Sequence, residues 1–310
     1  MRVLYSILLI TLFACNKPPA ISRMLDSDYG SIEYQSRQRK FYISFPEGYD
    51  GIKSYPLVVF LHGGSGNSMT AQIFTGFNKI AKDNNFIIAY PEAIFESGPT
   101  NYVWADGRGL APDQIGIDDV GFIDRLVTHF KSKYKIESQK IYLCGFSNGG
   151  FLTQRIAFEK NSQFAAFGVL GATLPQSYLT SGAPIRALPM LYLFGTADPL
   201  VPYQGGLMPG TSVIGVESSV QFWVNHNQCS TTPTQMQLPD KDITDQTNVS
   251  FFEYTNGNCQ SKVQFYRVNG GGHTWPGVLL PNQTALGGFN LDFHAGQALW
   301  DFFKNFELCF

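Results

Sequence analysis

Along this chain, short unbroken apolar runs alternate with longer stretches in which apolar residues recur every three or four positions. The first expected strands are Phe41-Tyr42-Ile43-Ser44-Phe45, Leu57-Val58-Val59-Phe60-Leu61, Phe86-Ile87-Ile88-Ala89-Tyr90 and Lys140-Ile141-Tyr142-Leu143-Cys144, of which Leu57–Leu61 is an uninterrupted apolar run. A run without polar alternation fits a strand covered on both faces, as in a parallel sheet. The segments between them predict helices around 70–83, around 119–134, and from just after Ser147 to about Lys160. Further strands are expected at 165–170 and 190–194, a helix around 215–226, paired strands near 249–254 and 263–268, and a closing helix near 293–306. This order defines an α/β protein: one mostly parallel central sheet covered by helices on both faces, in a single domain with no large separate cap.

The same pattern marks the limits of the body. Residues 16–36 show neither period and read as a flexible tether, so the folded part is expected to begin near Arg37. Two polar stretches, 97–117 and 228–261, read as excursions from the sheet, where such proteins build their pockets.

With 310 residues, 44% of them apolar, the chain is long enough to bury a large core. Its net charge of −2, with no run of Lys or Arg, gives no electrostatic footprint for a polyanion and excludes nucleic acid as an expected partner. The N-terminus adds a destination. Arg2 precedes an apolar run from Val3 to Ala14, too short for the roughly 20 residues that span a bilayer, and this reads as an export signal. Its end, Leu12-Phe13-Ala14-Cys15, resembles a bacterial lipobox. On that reading the signal is 1–15, Cys15 carries a lipid, and the protein is held at the outer membrane or cell surface. On the alternative reading Cys15 is incidental and the protein is secreted or periplasmic.

Cysteine placement fits an oxidising compartment. Cys229 and Cys259 both lie in polar, loop-like sequence and are the expected disulfide, clipping the second excursion. Cys144 lies in an apolar strand and reads as a small buried hydrophobe, and Cys309 stays unassigned.

The sharpest chemical signal is Gly145-Phe146-Ser147-Asn148-Gly149-Gly150, directly after an apolar strand and directly before a helical pattern. That context is the nucleophile elbow of the α/β-hydrolase fold, in which a strained turn lifts a Ser oxygen over the end of the sheet. The Asn148 N–H at the start of the new helix can then face a developing oxyanion. A serine needs a base, and among the five histidines His273 has the best setting, in Gly270-Gly271-Gly272-His273-Thr274-Trp275 after a strand. His129 and His294 fall in or beside helices, His226 ends one, and His62 opens a glycine turn, so each reads as structural. In the fold's order of Ser, acid, His, the acid is Asp198, which follows the 190–194 strand through a turn of small residues. Asp240, Asp242 and Asp245 lie in a polar loop and read as solvated charge. Leu61-His62-Gly63-Gly64-Ser65-Gly66 ends the second strand, and Gly64 is the expected second oxyanion donor.

These motifs resemble those of the extracellular esterases known as polyhydroxybutyrate depolymerases and feruloyl or acetylxylan esterases. The likeness spans residues 37–306 and also includes Trp104 with Asp106-Gly107-Arg108, Ile117-Asp118-Asp119-Val120-Gly121-Phe122, Gly195-Thr196-Ala197-Asp198-Pro199-Leu200, and Thr274-Trp275-Pro276-Gly277. The resemblance implies the triad Ser147, Asp198 and His273, and an inserted loop flanked by Cys229 and Cys259. Asp118 and Asp119 stand at a helix start and read as capping rather than as a metal site. Trp104 and Trp275 are expected to line the substrate pocket.

The expected reaction is acyl transfer through an acyl-enzyme on Ser147, with no metal and no organic cofactor. Its expected substrate is an ester linked to a polysaccharide or polyester, and contact with a membrane is expected only through a lipid on Cys15. Two other classes remain open from sequence: a serine peptidase of the same fold, and a non-catalytic surface module that binds glycan.

Overall fold

The computed structural model describes residues 27–98, 101–279 and 284–309. The export signal, Cys15 and the first part of the expected tether lie outside the described residues. Its strands are β1 (Ser27–Tyr34), β2 (Arg37–Ser44), β3 (Tyr55–Leu61), β4 (Ile87–Pro91), β5 (Phe95–Gly98), β6 (Asn101–Val103), β7 (Ile136–Phe146), β8 (Ala166–Leu170), β9 (Met190–Gly195), β10 (Gly205–Met208), β11 (Thr211–Ile214), β12 (Thr234–Gln237), β13 (Asn248–Tyr254) and β14 (Val263–Asn269). Its α-helices are α1 (Ser68–Thr75), α2 (Phe77–Asn84), α3 (Ala111–Gln114), α4 (Asp119–Lys133), α5 (Asn148–Glu159), α6 (Val216–His226) and α7 (Ala295–Phe303).

Ten of the strands form one sheet in the order β1-β2-β4-β3-β7-β8-β9-β14-β13-β12. The six central strands from β4 to β14 run parallel, and the outer strands pair antiparallel. The sheet is covered on both faces, as the unbroken apolar runs require. In β3, Leu57, Val59 and Leu61 enter one core with residues of α4, α5 and α6, while Val58 and Phe60 enter a second with residues of α1, α2 and α7. Alternate side chains of one strand therefore serve two layers.

Several boundaries differ from expectation for identifiable reasons. Ser27–Tyr34, expected within the tether, is an edge strand; most of its side chains are exposed or half-buried, so it lacks an apolar run to announce it. The helix expected over 70–83 is two, because Gly76 takes a left-handed φ of 58°, capping α1 and starting α2 in a new direction. The stretch 228–261 is not an excursion: it supplies β12 and β13 to the sheet edge.

The expected Cys229–Cys259 bridge is also corrected. Cys259 is bonded to Cys309, tying the turn before β14 to the segment after α7. Cys229 is a buried free thiol that donates to the Ser261 carbonyl at 3.7 Å. Cys229 is buried beside this turn, where a Cβ on Gly257 would come within 2.7 Å of its Sγ, whereas Cys259 is exposed. Cys144 is fully buried, and burial pushes its thiol pKa well up, as suits a core residue.

Candidate active site

At the C-terminal ends of the parallel strands, β7 turns into α5 through Ser147, whose φ of 55° and ψ of −119° lie where an L-residue is strained. The turn is possible because two glycines pack on its neighbours. A Cβ on Gly145 would meet the Gly149 carbonyl oxygen at 2.3 Å, and one on Gly149 would meet that of Leu61 at 2.2 Å. The Ser147 N–H is fixed to the Leu170 carbonyl at 2.8 Å.

The loops after β9 and β14 meet beside it. His273 Nδ1 and Asp198 Oδ2 are 2.6 Å apart, with both side chains buried. The other Asp198 oxygen accepts the N–H groups of Leu200 and Val201, each at 2.8 Å. With both carboxylate oxygens occupied, Asp198 fixes the Nδ1–H tautomer of His273 and leaves Nε2 as the basic ring nitrogen. The ring rests against Phe146 at 4.8 Å between centroids, and the His273 N–H is held by the Leu286 carbonyl at 2.6 Å.

Ser147 and His273 line one cavity of about 490 Å³, together with Gly64 and Asn148. Gly64 and Asn148 face each other there, since a Cβ on Gly64 would lie 3.7 Å from that of Asn148. The structure thus gathers Ser147, His273, Asp198, Gly64 and Asn148 at one end of the sheet. The glycine turn from His62 to Gly66 also lines it, and further walls come from residues the sequence did not single out for the pocket, among them Phe60, Phe74, Phe146, Leu200, Leu286 and Arg108. Phe74 follows Thr70 and Ala71 on the inner face of α1, a helical spacing visible in the sequence, and Arg108 stands in a motif already noted.

Trp104 and Trp275, expected to line the pocket, are buried behind it and are not among the lining residues. Trp275 packs edge-on against Phe60 at 5.4 Å, so it supports a wall rather than forming one. Trp104 donates from Nε1 to the His62 carbonyl at 2.9 Å and lies against the His62 ring at 4.8 Å. Trp275 is enclosed by Phe60, Phe74, Phe77 and Phe146 in one core, while Trp104 lies against His62 in the other.

That excursion is clamped to the elbow. The Asn148 amide accepts the Trp104 N–H at 2.8 Å and donates to the Trp104 carbonyl at 3.2 Å and to Asp106 Oδ2 at 2.5 Å. Asp106 is fully buried and paired with Arg108. Burial raises the Asp106 pKa, opposed by Arg108 and Asn148. Asp118 caps α4 by accepting the Gly121 N–H at 2.8 Å, as expected. Asp119 does not cap: it is buried, paired with Arg39, and accepts the Ala105 N–H at 2.7 Å, holding the excursion from its other side.

His62 is a structural residue with one defined tautomer. Its Nδ1–H donates to the Gly63 carbonyl at 2.8 Å and its Nε2 accepts the Ala93 N–H at 3.1 Å. Burial lowers its pKa to about 4, so it is neutral at physiological pH. The other histidines sit elsewhere: His226 on the Arg186 carbonyl at 2.8 Å, His294 capping α7 through the Gly296 N–H at 3.1 Å, and His129 near Phe41 at 6.0 Å between rings. Asp242 and Asp245 brace turns by accepting the N–H groups of Thr244 at 3.1 Å and Thr247 at 2.7 Å, and Asp240 is exposed.

A parallel sheet of this order, entered by a strained strand-to-helix elbow and flanked by helices, is the α/β-hydrolase fold. The chain belongs to the Phospholipase/Carboxylesterase family, whose model matches residues 51–243. Among similar proteins, feruloyl esterase B of Piromyces equi is 27% identical over 277 residues, covering 87% of this chain and 46% of its own length. The chain thus spans about half of that relative. Probable feruloyl esterase C of Aspergillus niger is 25% identical over 295 residues, covering 93% of this chain and 89% of its own length. The putative esterase NocK of Nocardia uniformis subsp. tsuyamanensis is 27% identical over 244 residues, with 75% and 69% covered. The acetyl xylan esterase from Aspergillus awamori superposes with a TM-score of 0.57 at 15% identity, over 89% of this chain and 99% of its own, a likeness of fold.

Proposed function

We propose that this protein is a serine carboxylic-ester hydrolase acting through an acyl-enzyme. Ser147 attacks the ester carbonyl while His273 Nε2 takes its proton, the alcohol leaves with that proton, and water then releases the acid by the same route in reverse. Asp198 holds the imidazole and stabilises its charged form, and the backbone N–H groups of Asn148 and Gly64 receive the oxyanion. One observation carries this reading: His273, paired at 2.6 Å with the buried Asp198, lines the same cavity as a serine held at a φ of 55° on a strand-to-helix turn. The feruloyl esterase and acetyl xylan esterase relatives support esters borne on plant polysaccharide as substrates, with 3-hydroxybutyrate oligomers as the second polymer class to try.

The test is hydrolysis of short aryl esters, then of methyl ferulate, acetylated xylan and 3-hydroxybutyrate oligomers, by the wild type and Ser147→Ala. Loss of turnover by about 10³-fold or more in the variant is expected; unchanged turnover refutes the assignment. Surface attachment through Cys15 is part of the proposal, and palmitate labelling that survives Cys15→Ser would remove it.

A further inference from the structure

We infer that Arg108 forms a carboxylate subsite in the pocket, so that the protein favours esters carrying a carboxylate close to the scissile bond. The inference deepens the esterase reading above and rests on it.

Among the lining residues, Arg108 alone carries a permanent charge. The other titratable wall groups are the two imidazoles, and His62 is kept neutral by burial. Elsewhere the walls are mostly aromatic, aliphatic or glycine, which suits the body of an acyl group and gives little reason to spend a guanidinium on it.

The guanidinium is also fixed in a way that leaves one edge open. Its Nε and Nη2 both bond Asp106 Oδ2, at 2.9 and 2.7 Å, so the side edge is taken. Its face lies over the Phe151 ring at 4.1 Å. No partner among the described residues takes Nη1, and the end edge formed by Nη1 and the second Nη2 proton is free. Two parallel N–H groups on that edge match the two oxygens of a carboxylate. Asp106, which sits behind the wall and is fully buried, preorganises the fork while removing much of its long-range field. Recognition is therefore by short directional bonds rather than by steering.

Arg108 also supports Asp106, which in turn holds Asn148, so a structural role alone has to be separated from a subsite. The separating quantity is the ratio of kcat/KM for matched substrates. One pair places the charge on the acyl side, a 4-nitrophenyl glutarate half-ester against its methyl ester. The other places it on the alcohol side, a 3-hydroxybutyrate dimer with a free acid end against its amide. At least one acid member should be favoured by roughly tenfold or more. Arg108→Gln, and the neutral paired variant Asp106→Asn/Arg108→Gln, should bring that ratio toward one, with partial recovery in Arg108→Lys.

No acid preference in either pair, or a ratio unchanged by Arg108→Gln, overturns the proposal. If the variants do not fold, inhibition of wild-type neutral-ester hydrolysis decides: glutarate should inhibit more strongly than glutaramide, and equal inhibition counts against the subsite. Failure of the wild type to cleave any ester strikes at the esterase reading instead, and calorimetric binding of glutarate against glutaramide then tests the subsite by itself.

Discussion

The side chains of Asn148 and Asp106 meet at 2.5 Å across the joint between helix α5 and the excursion after β6. This bond makes the residue immediately after Ser147 a structural part of the opposite wall. The backbone N–H of Asn148 is the proposed oxyanion donor, and its side chain is committed to Trp104 and Asp106. A position at the start of α5 thus has separate duties for main chain and side chain.

Asn148→Ala keeps the N–H and removes the clamp. The Trp104 N–H loses its buried acceptor and Asp106 loses a donor, so urea denaturation should show a loss of about 2–4 kcal/mol. Because the donor atom survives but its position is no longer held, kcat should fall by roughly 10–100-fold with little change in KM. Asn148→Asp sharpens the test. It sets a carboxylate against the buried Asp106, one of the pair must stay protonated in the folded protein but not in the unfolded one, and this variant should lose stability as pH rises from about 4, the ordinary carboxylate value, up to the raised folded pKa.

The His62 imidazole gives a pH dependence of opposite sign. Its pKa lies at about 4 in the folded protein, against the 6.5 of an unhindered imidazole. The unfolded chain binds this proton below pH 6.5 and the folded one does not until about pH 4. The contribution is therefore complete above pH 6.5 and falls as pH drops through that window, by about 3 kcal/mol in all. Denaturation midpoints between pH 7.5 and 4.5 should decline more steeply in the wild type than in His62→Gln, by up to about one proton. Equal slopes would show that His62 does not carry this term. The same loss should loosen the Gly63–Gly66 loop, whose first carbonyl accepts the His62 Nδ1–H.

The parts of this fold that could be read from sequence are those buried on both sides. The runs in β3, β4, β7 and β9 are unbroken because each of those strands has a core above and below it. Edge strands carry no such mark: β1 is largely polar and β12 is exposed at every position, so neither stands out from loop. The residues proposed for the chemistry were legible because the elbow and the loops after β9 and β14 each follow a readable strand through small residues. The pocket walls were less so. Whether Trp104 faces the cavity or the core depends on where the β5–β6 hairpin (Phe95–Gly98 and Asn101–Val103) carries the chain, and no local pattern encodes that path. Asp119 misled for a similar reason, since a carboxylate in the first turn of a helix is an ordinary capping arrangement until a buried Arg39 arrives from β2.

The cysteines supply the last case in which sequence context pointed to the wrong partner, and the corrected pairing has a measurable consequence. A bridge from Cys259 to Cys309 closes a loop of 50 residues that contains β14, the His273 loop and α7. In the chain-entropy account, closing a loop of that length removes enough freedom from the unfolded chain to stabilise the native state by about 4 kcal/mol. Cys309→Ser should then lower Tm by roughly 5–10 °C. Cys259→Ser should do the same, and the double variant should add little beyond either, because one bond is lost in all three. Cys229→Ser should behave differently. It replaces a buried thiol that donates to the Ser261 carbonyl, and its midpoint should respond to reductant as the wild type does. Peptide mapping without reduction gives the direct check, since a fragment joining Cys229 to Cys259 would reinstate the original pairing. Loss of the Cys259–Cys309 bond should also lower ester turnover at elevated temperature before it lowers it at 25 °C, because the closed loop carries the His273 backbone and its anchor at the Leu286 carbonyl.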